Sequence, residues 1–118
     1  MDIVFIRDLK IKTVIGVFDW ERKIQQTLIL DLELATDNRR AAANDAIDDA
    51  LNYKAVTDRV TEFVATSEFQ LVETLAERVA ALVMSEFAVP WLRLRVAKPG
   101  AIPQARDVGV LIERGEHT

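Results

Sequence analysis

The sequence predicts an α+β domain with an antiparallel sheet and helices packed on one of its faces. Three observations carry this. Apolar residues alternate with period two near both ends of the chain. Two helical stripes occupy the middle. The order is strand, strand, helix, helix, strand, strand. No repeat, low-complexity tract or linker-like stretch interrupts the 118 residues, so one unit spanning 1–118 is expected.

The first strand covers Ile3 to Ile15, which is rich in β-branched residues. Ile3, Phe5, Leu9, Ile11 and Ile15 share one parity, and Arg7 and Thr13 break it. A bulge or a change of exposed face accounts for such breaks. The second strand is Thr27 to Ala35, where Leu28, Leu30, Leu32 and Leu34 fill every second position. Gly16 to Lys23 joins the two as a long hairpin connection, and long connections often carry function.

Asp37 to Asn52 is polar and acidic and reads mostly as loop, with a short helical turn at Ala41-Ala42-Ala43. Val56, Val60, Phe63 and Val64 then fall on one helical face. Leu71, Val72, Leu75, Val79, Leu82, Val83 and Phe87 form the stripe of a second helix. Ser67 with Gln70 has the spacing of a capping box opening that helix. Pro90 closes the region, because its ring cannot continue a helix. In the third strand Leu92, Leu94 and Val96 alternate with Trp91, Arg93 and Arg95. Lys98 to Pro103 reads as a rigid loop. Val108, Val110 and Ile112 mark the last strand.

Composition narrows the chemistry. Half the residues are apolar and 29% are charged, the balance of a globular protein rather than a disordered one. No apolar run approaches the roughly 20 residues of a membrane span. The start, Met1 to Phe5, has no basic segment, so no signal peptide is expected. There are no cysteines, which removes disulfides, thiolate nucleophiles and cysteine-based zinc sites. The one histidine is His117, near the terminus and badly placed for a catalytic base. Acid–base work therefore falls to Glu, Asp, Lys or Tyr. A net charge of −4 and ten scattered arginines argue against a nucleic-acid partner.

Four residues stand out. Glu73 sits near the start of the second helix, where a carboxylate is favoured by the helix dipole whether or not it binds anything. Lys98 follows an apolar run and precedes Pro99-Gly100. It reads either as a solvated strand-end amine or as a partly buried amine whose pKa desolvation lowers. Tyr53 is the only tyrosine, placed where the acidic loop becomes helix, and packing of its ring explains it equally well. Glu21 lies in the Gly16–Lys23 connection beside Trp20. Spacing alone does not unite the four, and neither Gly16 nor Gly100 sits in a phosphate-loop pattern.

Taken in order, the motifs resemble one family. They are Thr13-Val14-Ile15-Gly16-Val17-Phe18-Asp19-Trp20-Glu21, Leu51-Asn52-Tyr53, Phe69-Gln70-Leu71-Val72-Glu73-Thr74-Leu75-Ala76-Glu77, Lys98-Pro99-Gly100-Ala101, and Val108-Gly109-Val110-Leu111-Ile112-Glu113-Arg114. Together these resemble the dihydroneopterin aldolases of bacterial folate synthesis and cover nearly the whole chain. The resemblance implies the tunnelling fold (T-fold), four-subunit rings stacked into a homo-octamer, sites at subunit interfaces, a cytoplasmic location and no metal or cofactor. It also implies a pterin small-molecule substrate, with no nucleic-acid or membrane partner. Glu73 matches the pterin anchor, assisted by Leu71 and the backbone of Val72. Leu51 and Asn52 match backbone contacts. Tyr53 matches a residue that a neighbouring subunit supplies for proton transfer. Lys98 matches the catalytic lysine, and Glu21 a carboxylate near the substrate's hydroxylated side chain. Two positions depart from the pattern: Phe18 differs from many relatives, and Asn52 stands where a histidine is common. The rival within the fold is the dihydroneopterin triphosphate 2′-epimerase, which would need extra cations near the side chain, with Arg22, Lys23 and Arg106 as candidates. A non-catalytic pterin-binding module is a further alternative. Zinc-dependent relatives would need the missing Cys and His ligands.

Overall fold

The computed structural model describes residues 1–116, so His117 lies outside the described residues. The strands are β1 (Asp2–Thr13), β2 (Gln26–Thr36), β3 (Trp91–Pro99) and β4 (Asp107–Gly115). They form one sheet in the order β1-β2-β3-β4, with every neighbouring pair antiparallel. Between β2 and β3 run a short helix α1 (Arg39–Asn44), then α2 (Tyr53–Thr66) and α3 (Val72–Glu86). The β-β-α-α-β-β order expected from periodicity is therefore the order observed. Among the described residues no helix is long and apolar enough to cross a membrane.

The leucine alternation of β2 organises the core. Leu28, Leu30, Leu32 and Leu34 are all buried beneath α2 and α3, which contribute Val56, Val60, Val64, Leu75, Val79 and Val83. Leu92, Leu94 and Val96 of β3 complete the same layer. The opposite face of the sheet stays open and carries cross-strand ion pairs. Arg95 reaches Asp31 at 3.4 Å and Asp107 at 3.6 Å, and Arg93 lies 3.9 Å from Glu113. Both strand edges, β1 and β4, lack a further partner strand among the described residues.

Several expectations need correction. The bulge in β1 is real: the register shifts between Ile6 and Leu9, and Asp8 takes a left-handed φ of 57°. Its effect, however, is that Val4 and Ile6 share the core face with Leu9 and Ile11, because they oppose Leu34, Leu32, Leu30 and Leu28. Ile3 and Phe5 face the other way, and Phe5 is exposed. One extra residue reverses the parity of everything before it. Thr13 does not break the core face but is buried on it, donating from Oγ1 to the Ser67 carbonyl at 3.0 Å.

Ser67 is not the N-cap of α3. It ends α2, and its Oγ donates to the Val64 carbonyl at 2.7 Å. Helix α3 opens from Leu71 with no side-chain cap. The short helical turn extends over Arg39–Asn44, beyond the three alanines. Lys98 and Pro99 belong to β3 rather than to the following loop, because they pair with Val108 and Asp107.

That pairing fixes the strand on which Lys98 sits. Gly109 opposes Ala97, and a Cβ there would lie 1.8 Å from the Val96 carbonyl oxygen. Gly109→Ala is expected to cost about 1–3 kcal/mol through overpacking against a backbone that cannot yield. A lower urea midpoint at unchanged slope in equilibrium unfolding checks this.

Candidate active site

The connection between β1 and β2 is not plain loop. Asp19–Lys23 forms a 3-10 turn, which points Glu21 inward. Its side chain is 5% exposed, unusual for a glutamate. Lys98 Nζ, itself 15% exposed, donates to Glu21 Oε2 at 2.5 Å. Gln26 Nε2 donates to the same oxygen at 3.0 Å and to the Ile15 carbonyl at 2.8 Å. The Phe18 backbone N–H donates to Oε1 at 3.3 Å. A carboxylate taken out of water needs such donors to offset its desolvation. Those donors, Lys98 first and Gln26 next, hold the Glu21 carboxyl down at about 2 against burial, which pushes the other way.

Gly16 makes room for this group. A Cβ at residue 16 would lie 2.2–2.4 Å from the Glu21 carboxyl atoms, and the backbone there has φ 123°. Both facts require glycine.

The pair opens on a cavity of about 440 Å³, a size suited to a small planar ligand. Leu71, Val72 and Glu73, at the N-terminus of α3, line it together with Glu21 and Lys98. Glu73 is exposed, and its carboxylate has no protein partner among the described residues. The remaining wall is largely apolar, with Ile15, Val17, Phe18, Trp20 and Val108. Val17, Phe18, Trp20 and Leu71 are nonetheless strongly exposed. The site thus sets an ion pair at one place and a free carboxylate at another within one concavity. That arrangement suits a ligand with N–H donors at one edge and a proton-exchanging group at the other.

Five of the eight expected site residues meet here: Glu21, Leu71, Val72, Glu73 and Lys98. Within one chain Leu51, Asn52 and Tyr53 do not line the cavity. Leu51 packs against the core, and Asn52 caps α2 by accepting from the Ala55 N–H at 3.1 Å. Tyr53 is 61% exposed. The amine of Lys98 is not isolated in an apolar wall; its partner is Glu21. Sequence reasoning missed Gln26, which reads simply as the first residue of β2. It also missed the contacts of Arg22, which donates to the backbone carbonyls of Gly16, Glu68 and Phe69. Adjacency to Glu21 was the one available signal for Arg22, and nothing in the spacing singled out Gln26.

Because its carboxyl is depressed on folding, Glu21 contributes stability that is complete above the ordinary value of 4.5 and disappears as pH falls through about 2. The stability difference between the native chain and Glu21→Gln is therefore expected to shrink across that window. Unfolding free energies measured in parallel from pH 5 to 2 check it.

The dihydroneopterin aldolase family model matches residues 4–113. The dihydroneopterin aldolase of Escherichia coli K12 is 48% identical over 117 residues, covering 99% of this chain and 96% of that protein. A crystal structure described as a dihydroneopterin aldolase from Vibrio cholerae superposes with a TM-score of 0.96 at 55% identity, covering 98% of each chain. The E. coli aldolase in complex with neopterin superposes at 0.95 with 49% identity, covering 98% of this chain and all of that one. The sheet of four antiparallel strands with its helices on one face is the tunnelling fold these structures share. By sequence over nearly its full length and by fold, this chain belongs to the dihydroneopterin aldolase family.

Proposed function

We propose that this chain is a lyase that cleaves 7,8-dihydroneopterin by a retro-aldol reaction into 6-hydroxymethyl-7,8-dihydropterin and glycolaldehyde, in tetrahydrofolate biosynthesis. The observation that carries this reading is the single cavity shared by Glu73 and the Glu21–Lys98 pair.

Glu73 accepts hydrogen bonds from the 2-amino group and adjacent ring N–H of the pterin. The α3 N-terminus lacks a side-chain cap, so the Val72 backbone is left to assist, with Leu71 packing beside the ring. This fixes the heterocycle with its side chain toward Lys98 and Glu21. The C=N bond at N5–C6 is the electron sink. A base removes the proton of the C2′ hydroxyl, the C1′–C2′ bond breaks to release glycolaldehyde, and its electron pair moves through C6 to a protonated N5. The resulting enamine takes a proton at C1′. Because the substrate carries its own acceptor, a proton mover and a tight clamp suffice, without a Schiff base.

Lys98 is the general acid/base, working through a bound water, and Glu21 orients it and faces the hydroxylated side chain. Re-addition on the other carbonyl face epimerises C2′ as a side reaction. Tyr53, with Leu51 and Asn52, completes the site from a neighbouring copy. The open edges of β1 and β4 and the exposed apolar rim at Val17, Phe18 and Trp20 support closure between copies. Tetrameric rings stacked into an octamer fit this, as does a cytoplasmic location.

The triphosphate epimerase reading lacks its cations. Lys98 is the one cationic side chain among the described cavity-lining residues. Arg22 is committed to three backbone carbonyls, and Arg106 lines pockets on the open sheet face.

The deciding assay incubates the purified protein with 7,8-dihydroneopterin. Free glycolaldehyde is expected; pterin binding without product would favour the non-catalytic module. Lys98→Ala is expected to lower kcat by about 10²–10⁴-fold, the usual weight of a general acid/base, with pterin affinity changed only a few-fold in calorimetry. Glu73→Ala is expected to weaken pterin binding by about ten- to a hundred-fold or more, since hydrogen bonds to a charged partner contribute about 1.5–3 kcal/mol each. Added chelator is expected to leave turnover unchanged.

A further inference from the structure

Two of the cavity's walls come from distant parts of the chain. One is the Gly16–Lys23 connection, which carries Glu21 and, through it, Lys98. The other is the α2–α3 connection, which leads within a few residues into Leu71, Val72 and Glu73. A ligand held by Glu73 meets the ion pair correctly only if these walls keep their spacing. Arg22 bridges them. One guanidinium nitrogen donates to the Gly16 carbonyl at 2.9 Å and to the Phe69 carbonyl at 3.0 Å. The other donates to the Glu68 carbonyl. Among the described residues no carboxylate takes part, and the side chain is only partly exposed.

Other contacts hold the α2–α3 connection to the body of the fold. Thr13 fixes Ser67 to the end of β1, and the Phe69 ring lies 6.1 Å from Phe63 and beneath the Arg78 guanidinium. Arg22 differs because it immediately follows Glu21 on the same 3-10 turn. Adjacent residues on one turn thus reach opposite ways: Glu21 to Lys98, Arg22 to the segment before the Glu73 helix. We infer that Arg22 is a positioning residue that sets the distance between the pterin anchor and the proton-transfer pair. The planar fork of arginine suits three carbonyls at once, which a single ammonium cannot span. Small errors in such registration are costly to catalysis even when binding survives.

The inference rests on the proposed aldolase reaction for its kinetic consequence, but its structural content is separate. Arg22→Met and Arg22→Lys are compared with the native chain by three measurements. Turnover of 7,8-dihydroneopterin gives kcat, calorimetry with neopterin gives pterin affinity, and amide hydrogen exchange reports on residues 16–22 and 67–72. In Arg22→Met, kcat is expected to fall at least about ten-fold while affinity for neopterin stays within about three-fold. Exchange is expected to rise in both segments together. Arg22→Lys is expected to fall between the two. A merely structural role would lower the thermal midpoint but leave kcat per folded protein unchanged, and that result overturns the inference. So does a loss of neopterin affinity with kcat intact, or unchanged exchange in either segment. If the native chain makes no product, the aldolase reading fails by itself, and the exchange data still decide whether Arg22 couples the two walls. If Arg22→Met does not fold, Arg22→Lys carries the same comparisons.

Discussion

The buried ion pair between Glu21 and Lys98 is the constraint on which the site depends. Two charges removed from water gain from each other only when their remaining hydrogen-bonding capacity is met. Here the carboxylate takes the amine, the Gln26 amide and the Phe18 N–H, while Gly16 yields the space that a side chain would occupy. Apart from the Lys98 amine, each of these neighbours comes from the β1–β2 connection or the first residue of β2. The long connection is therefore a shaped support for one carboxylate, and its length follows from that task.

The sheet delivers the other partner. Pairing of β3 with β4 carries the strand through Lys98 to Pro99, so the amine projects from a hydrogen-bonded backbone rather than from a loop. The helices deliver the anchor. The apolar stripe of α3 packs the helix against β3 and β4, which leaves the exposed Glu73 of its first turn lining the cavity. Rigid elements thus hold the ion pair and the free carboxylate in one concavity, as preorganised catalysis requires. Arg22 joins the supports of the two.

The open face of the sheet has a different character. Its arginines and carboxylates pair across strands at 3.4–3.9 Å, and the outer strands have free edges. Such a surface, together with an apolar rim around the cavity, fits a protein that meets further copies of itself. Tyr53 does not line the cavity of its own chain and is exposed, which is why its role is proposed through a neighbouring copy.

Periodicity alone determined the architecture. The leucines of β2, the stripes of α2 and α3 and the alternation of β3 are local patterns that have one low-energy way to bury their apolar faces. The family resemblance carried by the motifs in chain order pointed to Glu21, Glu73 and Lys98, and these three line one cavity. What only the tertiary structure decided was every feature that depends on two distant segments. The bulge at Asp8 reversed the face of Ile3 and Phe5, since strand parity is counted against a partner strand. Ser67 became the end of one helix instead of the start of the next, with its carbonyl accepting from the hydroxyl of the distant Thr13. The 77-residue separation between Glu21 and Lys98, and the reach of Arg22 from one wall of the cavity to the other, are invisible in any window of sequence. A hydrogen bond between distant residues leaves no periodic trace; it exists only once the chain has brought both groups together.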